Sequence, residues 1–347
     1  MSDIAISKAG RIGRITLTRP QALNALSLEM IRQIAAILPV WAADNSVAMV
    51  AIDAVGERAF CAGGDIAGVY RALVAGDPVP ARQLWREEYP MNAALARYPK
   101  PVASFLHGFT LGGGVGLGGH CSHRVVGATS RMAMPECGIG FIPDVGGSLL
   151  LARAPGRLGE YLGTTSRRMG PGDAILAGFA DYYIEETGWP ELIARLEETG
   201  DAGEIGRAAG MAPESALAGE LGKIDAHFGA ETFAETVASL RADGGDWAGA
   251  TLEMLAKNAP LSMAATVELV HRVRALDRID AALELEYRFG HRITEMGEFQ
   301  EGIRAAVIDK DRSPRWRHAT LDATTPGEVA AMLAPLGADA LKLEAWP

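Results

Sequence analysis

The chain has 347 residues, of which 48% are hydrophobic, 22% charged and 6% aromatic, with 41 glycines and a formal net charge of −10 at pH 7. This length and apolar content fit one large domain or two ordinary ones with a buried core, and they exclude a disordered chain, a collagen-like repeat and a disulfide-stapled miniprotein. The acidic balance argues against nucleic acid or an anionic membrane as a partner, and no apolar run is long enough to predict a transmembrane helix.

Strand and helix patterns alternate over the N-terminal part of the chain. Apolar and β-branched runs predict strands at residues 11–18, 47–55, 101–106 and 124–128. Ser27 is expected to cap a helix whose apolar residues recur three and four apart from Leu28 to Leu38. Pro90 is expected near a bend between two helices, and a short helix is predicted over residues 114–120. This order of elements, with short connections, predicts an α/β layer structure.

The C-terminal part of the chain has a helical pattern. Strand patterns end near Glu191, and apolar periodicity then predicts helices at residues 193–196, 216–228, 233–240, 249–258, 262–274 and 279–296. Glycine and alanine crowd together near residues 200–210, which favours a boundary there. We therefore divide the chain into an α/β core over 1–205, a helical lobe over 206–317, and a tail over 318–347 with a short helix at 326–333.

The N-terminus and the cysteines bear on cellular location. The first five residues, MSDIA, lack the basic and apolar regions of a secretory signal peptide. Cys61, Cys121 and Cys137 are an odd number of cysteines at scattered positions without a CxxC pair, which fits reduced thiols better than a disulfide framework. These features together predict a cytoplasmic protein.

A glycine-rich segment, LGGGVGLGGH at residues 111–120, follows the third predicted strand. Gly114, Gly116 and Gly119 match a dinucleotide-binding fingerprint, but that fold needs about three helical turns before its next strand, and here the next strand is predicted near residue 124. We therefore reject this interpretation. A strand still enters a helix N-terminus through glycines, where uncovered N–H groups can bind a negative oxygen. The glycines are explained equally well if they only permit tight packing of helix on sheet.

A second glycine-bearing turn, FCAGGDI at residues 60–66, also follows a predicted buried strand. One such loop would be interpreted as a plain turn. Two of them, each after a buried strand, favour two N–H donors that converge on one oxygen, as a carbonyl polarised toward an oxyanion requires. Gly63 and Gly64 can supply the donors of this second loop.

Residues 134–147 (MPECGIGFIPDVGG) place two carboxylates, Glu136 and Asp144, in an apolar segment without a basic residue. Burial there is expected to raise their pKa values toward a range that is useful for proton transfer. Taken in isolation, Asp144 is better explained as the cap of a helix that starts just after it.

The other chemistry-bearing residues give weaker signals. His120 and His123 flank Cys121, but three such close neighbours cannot easily aim at one ion, so we interpret them as structural and predict no metal site. The sequence also has no GxSxG, HExxH or P-loop motif, which argues against a serine hydrolase, a zinc protease and a nucleoside triphosphatase.

Four motifs occur in a fixed order between residues 19 and 136: RP with LNAL at 19–26, FCAGGDI at 60–66, GGG at 112–114 and MPE at 134–136. Together they resemble the crotonase, or enoyl-CoA hydratase/isomerase, superfamily. The resemblance implies an α/β spiral of ββα turns, here with a C-terminal helical lobe, that binds an acyl-CoA thioester. It implies oxyanion N–H groups at Gly64 and Gly113. It also places the adenine end of CoA along four residues: Ala22, Ala62, Asp65 and Ile66.

One departure from the hydratase pattern indicates the branch of the superfamily. Hydratases carry a glutamate three residues after the middle glycine of the triplet, where this chain has Gly116, and syn addition of water needs two flanking carboxylates. Five further motifs resemble the crotonases that hydrolyse 3-hydroxyisobutyryl-CoA in valine breakdown: REEY at 86–89, FIPDVGG at 141–147, EYR at 286–288, EGIRA at 301–305 and IDKDRSPRW at 308–316. This resemblance implies that Glu136 and Asp144 are catalytic and that Glu88 binds the hydroxyl of the acyl group.

We therefore expect hydrolysis of a short β-hydroxyacyl-CoA thioester, above all 3-hydroxyisobutyryl-CoA, with Glu136 either as nucleophile or as general base. An enoyl-CoA isomerase, or a hydratase with a relocated base, is the alternative within the superfamily. A non-catalytic acyl-CoA-binding protein is the alternative outside enzymes. No separate cofactor is expected, because CoA is part of the substrate. Crotonases commonly form trimers and hexamers, so a homo-oligomer is compatible with the resemblance, although the C-terminal lobe could cover that surface.

Overall fold

The computed structural model describes residues 3–343. Its strands are β1 (Ile4–Ala9), β2 (Ile12–Leu17), β3 (Met49–Ala54), β4 (Ala59–Cys61), β5 (Val102–Phe105), β6 (Phe109–Leu111), β7 (His123–Val126), β8 (Arg131–Ala133) and β9 (Tyr182–Tyr183). Its helices are α1 (Leu28–Ala43), α2 (Ile66–Val74), α3 (Val79–Ala96), α4 (Gly113–Gly118), α5 (Gly147–Arg153), α6 (Leu158–Thr165), α7 (Pro171–Leu176), α8 (Trp189–Thr199), α9 (Gly203–Ala208), α10 (Leu221–Phe228), α11 (Phe233–Asp243), α12 (Asp246–Leu255), α13 (Pro260–Leu276), α14 (Ile279–Ile293), α15 (Glu298–Ile303) and α16 (Pro326–Met332).

The strands form two sheets, and from β3 onward successive strands of the chain belong alternately to one sheet and the other. The six-stranded sheet has the order β1-β2-β3-β5-β7-β9, and all its neighbours are parallel except β1 and β2. The three-stranded sheet has the parallel order β4-β6-β8. Successive strand pairs, β3 with β4, β5 with β6 and β7 with β8, therefore give one strand to each sheet before the chain continues into a helix or loop. This is the spiral of ββα turns that the resemblance implied.

The local predictions are confirmed for most elements of the spiral. β2, β3 and β5 lie within predicted strands, and β7 overlaps the fourth but begins one residue before it. The Ser27 side chain caps α1 by accepting a hydrogen bond from the Met30 N–H at 3.2 Å. β1 was not predicted, because Ile4 is its one fully buried residue and the run shows no clear apolar alternation. Its hydrogen bonds to β2 nevertheless make it an edge strand.

The bend predicted at Pro90 is wrong, since Pro90 lies inside the single helix α3. A proline within a helix removes one backbone hydrogen bond and costs about 3 kcal/mol. α3 offsets this cost by burying large side chains on both sides of the proline, among them Trp85, Tyr89 and Met91. The position of a proline therefore did not locate the helix end.

Beyond β9 the described chain is helical, as predicted, with no strand between residues 191 and 343. α13 packs on α5 and α6, and α14 packs on α3 and α5, so the C-terminal helices cover the loop that follows β8. α15 comes so close to the 3₁₀ turn Glu136–Ile139 that a side chain at Gly302 would overlap the Ile139 carbonyl. The division of the chain at 205/206 and 317/318 stays a prediction.

Two further features complete the description of the fold. None of the helices in residues 3–343 is long and apolar enough to cross a membrane. Cys61, Cys121 and Cys137 are all buried and none is in a disulfide.

Candidate active site

A pocket opens where the ends of β4 and β6, one face of α3 and the loop after β8 meet. Five of the residues singled out in the sequence line it together, namely Gly64, Glu88, Gly113, Glu136 and Asp144. Its volume of about 110 Å³ is several times the roughly 10–15 Å³ that a cavity needs to hold one water molecule. The pocket therefore has room for reacting groups. The five residues span 80 positions of the sequence, from Gly64 to Asp144, and the fold brings them together here.

Two backbone N–H groups lie side by side in the pocket. β4 and β6 pair in parallel, so the loops that carry Gly64 and Gly113 leave the sheet at the same edge. A Cβ on Gly113 would stand 3.2 Å from the Gly64 nitrogen and 3.0 Å from Glu88 Oε1. Neither N–H donates to a backbone carbonyl among the turn and loop hydrogen bonds of residues 3–343. Two adjacent glycines that line one pocket, with N–H groups that have no backbone acceptor, are compatible with an oxyanion hole.

Glu136 follows β8 directly, at the start of a 3₁₀ turn, and its carboxyl is buried. Its Oε2 atom has no hydrogen-bond partner. Gly112, which has a φ of +49°, leaves the space that Glu136 Oε1 approaches, and a side chain there would overlap that oxygen. Burial raises the pKa of Glu136 well above its ordinary value, and the charge of Asp144 raises it further. Glu136 is thus a buried acid beside the glycine loop, with one carboxyl oxygen that has no partner.

Asp144 is buried beside Glu136, and its Oδ2 accepts a hydrogen bond from the Tyr89 hydroxyl at 2.8 Å. Burial raises the pKa of Asp144 to about 7, although the hydrogen bond from Tyr89 acts in the opposite direction. The negative charge of Asp144 disfavours ionisation of Glu136. An acid such as Asp144 can hold or release a proton near neutral pH.

The interpretation of Asp144 as a helix cap is wrong. Gly146 is the N-cap of α5, and the side chain that accepts the N–H groups there is Glu286 of α14. Glu286 Oε2 accepts from the Gly146 N–H at 2.8 Å, and Oε1 accepts from the Ser148 N–H at 3.2 Å. Because a distant helix satisfies these donors, the Asp144 carboxylate is free to face the pocket.

Glu88 lies on α3, one residue before Tyr89, and is 3% exposed. Its Oε1 atom has no partner. Burial, with the charge of Asp144 as a second cause, raises the pKa of Glu88 to about 8. Glu88 therefore carries a proton at neutral pH and can donate a hydrogen bond from a position close to Gly113.

The turn after Asp144 is strained. Val145 has a φ of +54° and Gly146 a φ of +77°. A β-branched residue in the left-handed region costs about 1–3 kcal/mol and persists only where its surroundings hold it. His120 Nε2 lies 2.8 Å from the Val145 carbonyl and donates to it; burial lowers the pKa of His120 to about 4, so the ring is neutral. This contact gives His120 the structural role that we predicted.

The Val145 side chain closes the space above Gly116. A Cβ on Gly116 would lie 2.5 Å from Val145 Cβ and 3.0 Å from Asn92 Nδ2. No side chain of any size fits at residue 116 while Val145 holds this conformation. An acid at residue 116 therefore cannot join Glu88, Glu136 and Asp144 in the pocket.

An aromatic wall forms the apolar side of the pocket. Trp85 of α3 stacks on Phe141 with ring centroids 4.9 Å apart, and Phe141 contacts Phe299 of α15 at the same distance. These three residues and Tyr89 were not among the site residues predicted from the sequence. Trp85 and Tyr89 do recur with Glu88 at helical spacing, but that pattern only indicates a buried helix face.

The four residues expected at the adenine end of CoA lie next to the pocket. Ala62 and Ile66 line it. The Ala62 N–H donates to the carbonyl of Leu23, which brings the 3₁₀ turn Pro20–Ala22 beside them, and Arg19 forms an ion pair of 2.8 Å with Asp65. Ala22 and Asp65 do not line the pocket. CoA binding by these four residues stays a prediction.

Comparisons with known proteins agree with this architecture. A family model for enoyl-CoA hydratase/isomerase matches residues 12–333. The chain is 37% identical to 3-hydroxyisobutyryl-CoA hydrolase, mitochondrial, of Xenopus tropicalis, over 98% of this chain and 91% of the relative. It is 35% identical to the Homo sapiens protein of the same name, over 98% of this chain and 90% of the relative. Because these relatives are named as mitochondrial, the cytoplasmic location stays a prediction.

Two solved structures are similar over almost the entire chain. An enoyl-CoA hydratase from Rhodobacter sphaeroides is 52% identical and superposes with a TM-score of 0.93 over 98% of this chain and 100% of that chain. A carnitinyl-CoA dehydratase from Mycobacterium thermoresistibile is 38% identical with a TM-score of 0.94 over the full length of both chains. These similarities confirm the predicted fold. The chain belongs to the enoyl-CoA hydratase/isomerase (crotonase) superfamily and is an enzyme of CoA thioesters.

Proposed function

We propose that the protein hydrolyses a short β-hydroxyacyl-CoA thioester, with 3-hydroxyisobutyryl-CoA as its main substrate. The observation that carries this proposal is the set of acids in the pocket. Glu136 and Asp144 lie together beside the paired N–H groups, whereas Val145 closes the position at Gly116 from which a further acid would come. The names of the vertebrate relatives support the same reaction.

The paired glycines would bind the carbonyl oxygen of the thioester. The N–H groups of Gly64 and Gly113 are free and adjacent, and each such donor contributes roughly 3–4 kcal/mol to transition-state stabilisation. A carbonyl oxygen held there acquires negative charge as a nucleophile attacks the carbon. The same position puts the acyl group between Glu88 and the two other acids.

Glu136 would begin the reaction by one of two routes. As a nucleophile, its carboxylate attacks the thioester carbon, the C–S bond breaks, and a mixed anhydride forms that water then hydrolyses. As a general base, it takes a proton from the water molecule that attacks the same carbon. Both routes release one carboxylic acid and one CoA thiol, and both need Glu136 in its ionised form.

Asp144 would supply the proton to the departing thiolate. The reacting form would carry a proton on Asp144 while Glu136 is ionised. This is a minority form, because burial and the charge of Asp144 raise the pKa of Glu136 well above its ordinary value. In the nucleophilic route Asp144 then recovers its proton from the water that hydrolyses the anhydride. In the general-base route the proton that Glu136 took from water returns to Asp144. Tyr89 holds the Asp144 carboxyl in place through the hydrogen bond of 2.8 Å.

Glu88 would select the β-hydroxyl group of the substrate. It is buried and protonated at neutral pH, and one of its oxygens has no partner. A substrate without the hydroxyl would leave that polar group unsatisfied, which costs about 1–3 kcal/mol. The aromatic wall of Trp85, Phe141 and Phe299 limits the acyl group to a short chain. Short β-hydroxy acids such as 3-hydroxypropionate fit the same description.

A second candidate function is hydration or isomerisation of an enoyl-CoA. The solved structure with 52% identity is named as an enoyl-CoA hydratase. One buried carboxylate, Glu136, would suffice to move a proton between two carbons. A non-catalytic acyl-CoA-binding protein ranks last, because two buried acids would then destabilise the fold without a use.

The decisive experiment measures free CoA with a thiol-trapping reagent across short acyl-, enoyl- and β-hydroxyacyl-CoAs. We expect release from β-hydroxyacyl-CoAs, and a loss of at least about 10²-fold in Glu136→Gln and Asp144→Asn. Glu87→Gln is the matched control, since Glu87 adjoins Glu88 but pairs with Arg32 at the surface. Loss of the enoyl double bond without free CoA would favour the hydratase instead. Binding without either reaction would favour the non-catalytic protein.

A further inference from the structure

The turn that carries Asp144 into α5 has two consecutive residues in the left-handed region, Val145 and Gly146. Glycine adopts this conformation readily, but valine does so only when other contacts compensate. One such contact is the His120 hydrogen bond to the Val145 carbonyl. A second is the hydrogen bond of 2.7 Å from the Gly147 N–H to the Asp144 carbonyl, which closes the turn. Neither contact uses the Gly146 N–H.

The acceptor of the Gly146 N–H is Glu286 of α14, 140 residues further along the chain. It is completely buried, and both carboxyl oxygens are spent on this turn. Oε2 accepts from the Gly146 N–H at 2.8 Å, while Oε1 accepts from the Ser148 N–H at 3.2 Å and from the Ser148 hydroxyl. The two oxygens thus accept hydrogen bonds from the backbone immediately after Val145.

This use of a buried acid differs from that of a purely structural one. Glu160 is equally buried, and it accepts from the Arg274 guanidinium at 2.6 and 2.8 Å and pairs with Arg157. Glu286 accepts only from N–H and O–H groups of the turn. An acid buried without a cation is costly for the fold, which points to a use at the adjoining site.

We propose that Glu286 is a positioning residue, which fixes the Val145–Gly146 turn and thereby holds the Asp144 carboxyl toward the thioester. The inference rests on the proposed function, because Asp144 is given its role there. The charged and titratable groups that face Glu286 are Asp144 on the loop, Glu136 after β8 and Tyr89 on α3. The side chain that accepts from the Gly146 N–H is Glu286 and none of these three.

Amide hydrogen exchange tests whether Glu286 fixes the turn, and it does so independently of enzyme activity. Glu286→Gln keeps the size of the side chain but puts an N–H₂ group where one acceptor oxygen stood. We expect the peptide over residues 141–150 to exchange at least about tenfold faster. Glu160→Gln is the matched control: it removes a buried acid of the same type and should leave exchange over 141–150 unchanged. Unchanged exchange in Glu286→Gln would overturn the proposal.

The consequence for the reaction is tested by steady-state kinetics of CoA release from 3-hydroxyisobutyryl-CoA. Misplacement of a catalytic group by about 1 Å costs roughly 10²-fold in rate. We therefore expect kcat of Glu286→Gln to fall about 10²-fold while KM changes less than about threefold, because the binding groups stay in place. Glu160→Gln should keep the kcat of the wild type. Faster exchange over 141–150 with an unchanged kcat would overturn the link between the turn and Asp144.

A rescue experiment separates positioning from general damage. Glycine at residue 145 takes the left-handed conformation without an anchor, so Val145→Gly combined with Glu286→Gln should recover about tenfold of the lost kcat. If the double variant is as slow as the product of the two single effects, the proposal is wrong. If Glu286→Gln does not fold, Glu286→Asp, which keeps the carboxylate one methylene shorter, undergoes the same measurements. If the wild type releases no CoA from any thioester, the proposed function fails, whereas faster exchange would still support the hold on the turn.

Discussion

The Tyr89 hydroxyl donates a hydrogen bond of 2.8 Å to Asp144 Oδ2, and it connects helix α3 to a loop 55 residues further along the chain. Both side chains are buried, so water does not compete for either partner. A hydrogen bond donated to the ionised carboxylate stabilises that form and lowers the pKa of Asp144, against the burial that raises it to about 7. Tyr89 thereby affects both the orientation of the Asp144 carboxyl and its pKa.

The first prediction concerns the removal of this hydroxyl in Tyr89→Phe. A hydrogen bond to a charged group contributes about 1.5–3 kcal/mol, which corresponds to about one to two pKa units. The pKa of Asp144 rises when the bond is lost. Because Asp144 reacts in its protonated form, the alkaline limb of kcat/KM should move to higher pH by about one to two units. The maximal kcat should fall about tenfold, since the carboxyl is no longer oriented.

Tyr161→Phe is the control for this prediction. Tyr161 is also fully buried and its hydroxyl accepts a hydrogen bond from Arg167 at 2.8 Å, but it does not line the pocket. This variant should lose a similar amount of stability and keep the pH profile of the wild type. A shift of the alkaline limb toward lower pH in Tyr89→Phe would mean that Asp144 is not the group behind that limb.

The second prediction concerns the paired N–H groups. In Gly113→Ala the new methyl carbon would stand 3.2 Å from the Gly64 nitrogen and 3.0 Å from Glu88 Oε1, inside the space meant for the thioester oxygen. Gly113 has no left-handed conformation that alanine would strain. We expect a fold that stays intact, with kcat lower by about 10²–10³-fold. CoA release and the thermal midpoint of unfolding measure the two effects.

Gly249→Ala makes the same change where a Cβ meets no atom within 4 Å. Because Gly249 lies in α12, the alanine should leave kcat unchanged and stabilise the protein by about 0.5–1 kcal/mol. Wild-type turnover in Gly113→Ala would argue against Gly113 as an oxyanion donor.

The third prediction concerns stability against pH. Burial raises the pKa of Glu88 and of Glu286 to about 8. In the unfolded chain a glutamate loses its proton near pH 4.5, whereas in the folded state these two keep it up to about pH 8. The free energy of unfolding is therefore highest below about pH 4.5 and falls as the pH rises to about 8. The buried histidines, whose pKa values are lowered, act below about pH 6.5. Between about pH 6.5 and 8, each acid should lower the free energy of unfolding by up to about 1.4 kcal/mol per pH unit.

Urea unfolding at several pH values between these limits measures that slope. Asp144 and Glu136, whose pKa values are also raised, contribute to the same slope. Glu88→Gln removes one of these buried acids and should make the slope shallower by up to about 1.4 kcal/mol per pH unit. Glu87→Gln is the matched control, because the pKa of Glu87 is lowered by Arg32 and does not titrate in this range. A slope that is equal in all three proteins would show that Glu88 is not protonated in the folded state.

Much of the pocket was predictable from the sequence because it is built on adjacent parallel strands. The carboxyl ends of such strands meet at one edge of the sheet, so glycine loops after neighbouring parallel strands come together. This is why Gly64 and Gly113 lie side by side. Their loops follow β4 and β6 of the three-stranded sheet, however, and these two short strands were not predicted. The acids Glu136 and Asp144 stood out because they interrupt an apolar segment, and the structure brings both to that edge. The catalytic and binding roles of these residues stay predictions.

The contacts between distant helices were not predictable in the same way. Periodicity in α3 and α14 shows that these helices bury one face, but it does not show which residue of that face meets which loop. The sequence therefore did not predict the hydrogen bond between Tyr89 and Asp144. It also did not predict that Glu286 accepts from the Gly146 N–H. The incorrect assignment of Asp144 as a helix cap has the same origin, since local pattern alone assigned the N–H groups of α5 to the nearest acid.

The fourth prediction separates the two candidate functions at Gly116. In Gly116→Glu, the side chain would collide with Val145 Cβ and with Asn92 Nδ2, and such overpacking costs typically about 1–3 kcal/mol. We expect a lower thermal midpoint, CoA release reduced by more than about tenfold, and no hydration of a short enoyl-CoA. Gly249→Glu, at an open position, should keep full activity. If Gly116→Glu were as stable as the wild type and hydrated the enoyl-CoA, Val145 would not close this position, and the argument for hydrolysis from the missing acid would fail.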